Sequence, residues 1–488
     1  MNTEYLQTQR NESWREDLRK SLKNKERADI PRVKMPELDA DFRSHNYEEV
    51  NLGLSLEQAL TEAKRCLDCP DPQCISGCPV DINIPKFIKN IERNNVLEAA
   101  KTLKETSALP AVCGRVCPQE KQCESQCIYL KMKKEPVAIG HLERFTADFE
   151  RESASISIPE LAENNGIKVA VIGSGPAGLS FAGDMAKFGY NVSVFEALHE
   201  IGGVLKYGIP EFRLPNDIVD VEINILQKMG VKFISNCIVG KTISYDDLLE
   251  EGFKGIFIAS GAGLPNFMDI PGENLSGVLS ANEYLTRVNL MAANKEEADT
   301  PVFFGKKVAI IGGGNTAMDS VRTARRLGAE QAIIVYRRSE DEMPARVEEV
   351  KHAKEEGIIF MNLHNPIKYI GDEKGKVKQM ILQKMELGEP DASGRRKPVE
   401  ILGATETMDI DMVIVAIGVS PNPLVPSAFD GLNVSKWGTI IVNQNTLETD
   451  LPNVYAGGDI VRGGATVILA MGDGRKAAAA MNEKFKSK

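Results

Sequence analysis

Residues 167–196, IKVAVIGSGPAGLSFAGDMAKFGYNVSVFE, constrain the fold of this chain more than any other stretch. Residues 169–172 form a short, largely β-branched run suited to a buried parallel strand. Gly173, Gly175 and Gly178 follow in G-x-G-x-x-G spacing. The missing side chains permit a tight turn, close approach of backbone to a pyrophosphate, and close helix packing. Residues 177–188 read as a helix whose N-terminal amides and dipole point at that pyrophosphate. Residues 191–195 make a second strand, which delivers Glu196 where an acid hydrogen-bonds a ribose hydroxyl. A glycine-rich turn alone says little, but all these parts at these offsets specify a dinucleotide-binding βαβ unit.

Residues 306–338 repeat the pattern, with a strand at 308–311, Gly312, Gly314 and Ala317 as G-x-G-x-x-A, a helix at 316–327 and a strand at 332–336. No acid follows this second strand. Arg337 and Arg338 stand there instead, and a guanidinium pair accommodates a ribose 2'-phosphate, so the second unit is expected to take NADP(H). Apolar strands ending in small residues recur at 257–263 and 413–418, and both could bring backbone close to a nucleotide. Residues 201–215 read as an irregular loop of functional length, residues 347–356 as a helix, and residues 386–397 as a polar turn. Near the C-terminus a strand ends in Gly457, Gly458 and Asp459, ahead of a helix at 467–485. That returning acid suits the first nucleotide, so the second unit is expected to be inserted within the first.

Eight of the nine cysteines lie between residues 66 and 127, and only Cys237 lies outside. The first group is Cys66-x2-Cys69-x4-Cys74-x3-Cys78-Pro79, and the second is Cys113-x3-Cys117-Pro118-x4-Cys123-x3-Cys127. Residues 1–19 are polar and lack the apolar core of a signal peptide, so a reducing, cytoplasmic setting is expected and disulfides are disfavoured. Three closely spaced thiolates followed by Cys-Pro match a bacterial ferredoxin pattern, whereas zinc, the main rival, favours two short Cys-x2-Cys knuckles and finds one here. Ahead of the cysteines, residues 1–50 read as an extended polar arm, and Ser55 with Gln58 forms a capping box for a helix at 56–65.

A net charge of -10 argues against nucleic acid. The basic run from Lys131 to Lys134 reads as solvated surface or a docking patch. No run of eighteen apolar residues exists to span a membrane. The five histidines show neither metal nor triad spacing.

Together RCLDCPDPQCISGCPV, LPAVCGRVCPQEKQCESQC, IGHLERF, VIGSGPAGL, GGVLKYGIPEFRLP, IGGGNTAMD, YRRSEDEMPAR and YAGGDIVRGGATVILAMGDGRKAA resemble the small (β) subunit family of NADPH-dependent glutamate synthase. Close relatives of that family are the large subunit of bifurcating ferredoxin:NADP oxidoreductase (sulfide dehydrogenase) and the N-terminal half of dihydropyrimidine dehydrogenase. The resemblance covers nearly the whole chain. It implies an α/β fold: a helical N-terminal iron–sulfur domain (1–150), then two Rossmann-like domains, with the NADPH domain (291–420) inserted in the FAD domain (151–290 and 421–488).

It further implies two 4Fe-4S clusters, one on Cys66, Cys69, Cys74 and Cys127, the other on Cys78, Cys117, Cys123 and Glu143. Cys113 is then spare, near the flavin or a cluster, and Cys237 an ordinary core thiol. The implied FAD residues are Gly173, Gly175, Pro176, Ala177, Gly178, Glu196, Gly203, Arg213, Gly458, Asp459 and Thr466. The implied NADPH residues are Gly312, Gly314, Asn315, Thr316, Ala317, Arg337, Arg338, Arg346 and Gly418. The implied chemistry is hydride transfer from NADPH to flavin, then single electrons leaving through the clusters, with no side-chain nucleophile. The acceptor is a partner protein, either a glutamate synthase large subunit or a ferredoxin-linked flavoprotein, and an oligomer is compatible with the pattern. A third reading, a non-catalytic nucleotide-binding scaffold, fits poorly with intact cysteines and fingerprints.

Overall fold

A computed structural model describes residues 3–487. The chain opens with helices Thr3–Arg10, Ser13–Ser21 and Asn24–Asp29, where the sequence reads as an extended arm. These helices dock through guanidinium groups instead of an apolar stripe, so hydrophobic periodicity carries no trace of them. Arg15 and Arg19 pair with Asp68, beside Cys69, and Arg27 pairs with Glu92 at 2.8 Å.

Helix Leu56–Lys64 starts at the expected capping box, with Ser55 N donating to Gln58 Oε1 at 2.9 Å and Gln58 N to Ser55 Oγ at 3.2 Å. Helices Ile84–Glu92, Val96–Lys104, Pro110–Val116 and Ile139–Glu152 follow, burying Phe87, Ile91, Leu103, Val112 and Leu142.

The strands in chain order are β1 (Lys168–Ile172), β2 (Asn191–Phe195), β3 (Lys232–Ile234), β4 (Phe253–Ile258), β5 (Ala262–Pro265), β6 (Val278–Ser280), β7 (Lys307–Ile311) and β8 (Gln331–Tyr336). Then come β9 (Ile359–Asn362), β10 (His364–Gly371), β11 (Val377–Pro390), β12 (Arg396–Asp409), β13 (Met412–Val415), β14 (Val419–Pro421) and β15 (Val454–Ala456). One parallel sheet has the order β15-β4-β1-β2-β3 and the other β6-β13-β7-β8-β9. Strands β10, β11 and β12 form an antiparallel meander.

The chain crosses between the two sheets twice, and the crossings pair as the antiparallel ribbon β5–β14. The C-terminal β15 returns to pair with β4, which encloses the second unit within the first. The three-residue β6 already belongs to the second sheet, ahead of the boundary read at residue 291. Residues 386–397 are not one long turn: β11 and β12 run 14 residues each, leaving only 391–395 between them. The loop at 201–215 contains a helical turn, Val204–Tyr207.

The N-terminal helices and the first sheet share one core, which runs from Ala59 and Cys66 through Val169 and Phe181 to Met471. The second sheet has separate cores on its two faces. The iron–sulfur region and the first nucleotide unit are therefore one packed body, with the second unit attached through its ribbon and polar contacts.

The two fingerprint turns differ in tolerance. Gly173 has φ +101°, and a Cβ there would lie 2.5 Å from Ala259 O. A Cβ on Gly178 would strike Gly173 O, whereas Ala317 is accommodated, fully buried, at the same place in the second unit. Gly178→Ala is expected to cost about 1–3 kcal/mol or more by overpacking. Ala317→Gly is expected to cost no more than about 1 kcal/mol through helix propensity. Thermal unfolding of both variants checks this; equal losses would contradict the tighter turn.

Candidate functional site

The first nucleotide unit is built around the N-terminus of helix Pro176–Lys187, whose first turn carries Pro176 and Ala177. A Cβ on Gly175 would meet nothing within 4 Å, so the turn opens there, and Gly203, at φ +55°, packs directly on it. Glu196 is buried and accepts from Ser174 N at 2.8 Å, Ser174 Oγ at 2.6 Å and Leu198 N at 2.9 Å. Its carboxylate thus braces the glycine turn.

Burial pushes the Tyr207 phenol up to about 12, and the Asp459 and Glu196 carboxylates add to the effect. Asp459 is itself pushed up to about 6 by burial, against the hydrogen bond from Ala465 N at 3.1 Å. Gly458 N donates to Asp473 at 3.0 Å, and Thr466 caps helix Val467–Lys486. Ser260 Oγ, just beyond β4, is buried without a partner. An open turn at a helix N-terminus, an unpartnered hydroxyl and a desolvated acid fit a dinucleotide.

In the second unit, the nearest atom to a Cβ on Gly314 would be Pro344 Cγ at 3.9 Å. Asn315 Oδ1 accepts from Arg346 N at 2.9 Å, Thr316 and Gly418 are exposed, and Gly418 has φ +111°. Arg337 is exposed and makes no hydrogen bond or ion pair among the described residues. Arg338 is buried, and its Nη2 donates to Asp391 Oδ2 at 2.7 Å.

Two of the expected nucleotide ligands already have charged or polar partners in the protein. Arg213 Nη1 is 2.7 Å from Asp319 Oδ1, and Nε is 3.2 Å from Glu349 Oε1, so its charge ties the 201–215 loop to the second unit. Arg346 does not join Arg337 and Arg338: it donates to Arg115 O at 2.6 Å, Gln119 Oε1 at 3.0 Å and Glu348 Oε2 at 2.8 Å. It clamps the second unit onto the iron–sulfur region.

Around these arginines Glu356 receives Arg43, Arg322 and Arg326, and Glu349 receives Arg213 and Arg322. Glu37, His352 and Glu355 also converge there, but Lys351 and Arg43 neutralise the carboxylates, which leaves the group poorly suited to a cation. Burial alone would raise Glu349 and Glu356; the facing guanidiniums outweigh it and hold both at about 2.

All nine cysteines are free. Cys74 is raised well above the usual thiol range by burial and then by the nearby Cys66, Cys127 and Cys69. Cys78, Cys117 and Cys123 share their surroundings with Glu143. Burial pushes Glu143 up to about 8, with the nearby Glu222 adding to it, and its Oε1 has no hydrogen-bond partner. Cys113 is buried beside Cys117, with its Sγ 3.5 Å from Met471 Sδ. Cys237 is half-buried, packed against the edge of the first core and 3.5 Å from Thr242 Oγ1. Thiols that burial alone would keep protonated, gathered in two groups with an orphaned carboxylate oxygen, suit cationic clusters that let several thiolates be buried together.

Tyr207, Ser260, Asp391 and Gln119 escaped the sequence reading. All four lie inside stretches already singled out, but only folding shows what their side chains face.

Residues 43–155 match the family described as dihydropyrimidine dehydrogenase domain II, 4Fe-4S cluster, and residues 167–474 match pyridine nucleotide-disulphide oxidoreductase. The glutamate synthase [NADPH] small chain of Escherichia coli (strain K12) is 36% identical over 456 residues, covering 92% of this chain and 96% of that one. The chain belongs to the glutamate synthase small-chain family of these oxidoreductases. The NADP(+)-dependent formate dehydrogenase subunit beta of Moorella thermoacetica is 38% identical over 434 residues, covering 84% of this chain but 59% of that one. Mycobacterium tuberculosis FprA in complex with NADPH superposes with a TM-score of 0.55 at 19% identity over 66% of this chain and 85% of that one, which supports the fold. The protein is an NADPH-dependent FAD and iron–sulfur oxidoreductase. Among the described residues, no helix is long and apolar enough to cross a membrane.

The junction yields a pH prediction. Glu349 and Glu356 have depressed folded values, so their contribution is complete above the unfolded carboxylate range and is lost as pH falls through about 2. Asp319, raised to about 6 mainly by burial, acts in the opposite sense at higher pH. Stability should therefore fall steeply from about pH 4 downwards. Glu356→Gln should cost about 3–5 kcal/mol at neutral pH and flatten that fall. Thermal unfolding between pH 2 and 7 measures both.

Proposed function

We propose that this chain carries electrons from NADPH through FAD and two 4Fe-4S clusters to a separate protein, as the small subunit of an NADPH-dependent glutamate synthase. The observation that carries the reading is the shared core, which holds both thiol groups against the first nucleotide unit. When bound, the flavin turns a two-electron donor into one-electron steps, and the clusters lead those electrons outward.

In this reading Gly173, Gly175, Gly178, Gly203, Gly458, Asp459 and Thr466 line the FAD site, with Tyr207 and Ser260 added by the structure. Gly312, Gly314, Asn315, Thr316, Ala317, Gly418, Arg337 and Arg338 receive NADPH. Cys66, Cys69, Cys74 and Cys127 hold one cluster; Cys78, Cys117, Cys123 and Glu143 hold the other. Arg213 and Arg346 position the two nucleotide units and the iron–sulfur region relative to one another. The proposed division assigns residues 1–150 to the clusters, the segments outside the β5–β14 ribbon to FAD, and the segment between them to NADPH.

A second reading, electron delivery to an acidic ferredoxin-linked flavoprotein, draws on one feature. Directly after Cys127, Leu130 and Met132 are 46% and 40% exposed among the exposed Lys131, Lys133 and Lys134. Exposed apolar residues ringed by cations suit an acidic partner. Reduction of ferredoxin without a large subunit would favour this reading; glutamate formation only after a large subunit is added would favour the first.

Anaerobically purified protein is expected to contain about eight iron atoms and to be bleached by NADPH much faster than by NADH. Cys74→Ala and Cys117→Ala should each remove about half the iron. Zinc in place of iron, or a flavin that NADPH leaves oxidised, would overturn the proposal.

A further inference from the structure

The loop between β11 and β12 reaches the end of β8. Asp391 Oδ2 accepts from Arg338 Nη2 at 2.7 Å, 53 residues away in sequence. The turn itself is closed: Asp391 N donates to Arg395 O at 2.8 Å, Ser393 N to Asp391 Oδ1 at 2.8 Å, and Arg395 Nε to Ser393 Oγ at 3.0 Å. A second anchor holds the hairpin in place, with Arg396 Nε donating to Glu342 Oε1 at 3.1 Å while Tyr336 OH donates to Glu342 O at 2.9 Å. Arg337 and Arg338 directly follow Tyr336, and Asp391 ties the turn that carries Arg395 to Arg338, so the three guanidiniums lie near one strand end.

We propose that the hairpin tip completes the subsite for the ribose 2'-phosphate of NADPH. Arg395 supplies a third guanidinium beside Arg337 and Arg338, and Asp391 is the internal anion that holds Arg338 in place until the phosphate replaces it. The inference rests on the reading that the second unit takes NADPH and extends it to residues outside the fingerprint.

The chemistry favours the exchange. Asp391 is a single carboxylate, kept charged by Ser393 and Arg338. A 2'-phosphate carries more charge and offers three acceptor oxygens to the same guanidiniums, so it can displace the carboxylate from Arg338 and engage Arg337 and Arg395 as well. A nucleotide without that phosphate neither replaces Asp391 nor engages the guanidiniums, so the preference for NADP(H) over NAD(H) comes from Arg337, Arg338 and Arg395, against the competition of Asp391.

The test uses full-length, anaerobically purified holoenzyme and two probes that differ only in the phosphate: adenosine 2',5'-bisphosphate and adenosine 5'-monophosphate. Binding is measured by calorimetry on the native protein and on Asp391→Asn, Arg395→Gln and, as a reference, Arg338→Gln. The turn is exposed, and an unchanged visible flavin spectrum confirms that each variant is folded.

Arg395→Gln is expected to weaken the bisphosphate about tenfold, the size of one charge-assisted contact, and to leave the monophosphate unchanged. Asp391→Asn is expected to tighten the bisphosphate several-fold, again without effect on the monophosphate. The inference is overturned if the native protein prefers the bisphosphate but neither Asp391→Asn nor Arg395→Gln alters that preference, or if either shifts both probes equally. No preference in the native protein would instead overturn the NADPH assignment of the second unit, and this inference with it.

Discussion

The carboxylate of Glu356 is the point on which the arrangement of the parts depends. It is buried with Arg322 and Arg326 from its own unit and Arg43 from the N-terminal segment, and both Arg322 and Arg326 stack on Phe212 at 4.7 and 3.9 Å. Adjacent Glu349 draws in Arg213 from the flavin unit, and Arg346 reaches the backbone of the iron–sulfur region. A buried ion pair is weak evidence of stability, because desolvation offsets most of its Coulombic gain. Its directional consequence is stronger: breaking one partner strands a charge, so the network permits few relative positions of the three regions. An apolar interface of similar size would tolerate sliding.

That geometry matters for a protein whose chemistry belongs to its cofactors. Side chains need supply neither acid, base nor nucleophile; they must keep donors and acceptors close and dry. The cysteine groups and the flavin fingerprint lie in one continuous core, a rigid arrangement, whereas the NADPH unit is joined through a two-stranded ribbon and polar contacts. The part that exchanges its ligand is thus the part least bound by apolar packing.

Legibility followed the range of the interactions. The βαβ units were readable because their information is local: alternation of strand and helix, glycines at fixed offsets, and a charged residue at the end of the second strand. The Ser55 capping box was readable for the same reason. The N-terminal helices were not, because their stabilising groups are arginines whose carboxylate partners lie far away in sequence, as Arg15 and Arg19 show with Asp68. Arg213 and Arg346 sat in motifs beside the nucleotide fingerprints, so they read as ligands, and only the folded chain shows that carboxylates and carbonyls already occupy them.

By itself the sequence determined that this chain binds two dinucleotides, that the second carries a 2'-phosphate, and that eight clustered cysteines suit iron more than disulfides. Each conclusion rests on residue types at short, fixed spacing. Only the tertiary structure showed that Glu143 is buried among these thiols with a carboxylate oxygen left without a hydrogen-bond partner. It also decided which arginines brace the molecule. Both outcomes depend on burial and on contacts between residues remote in the chain, and those exist only once the cores have closed.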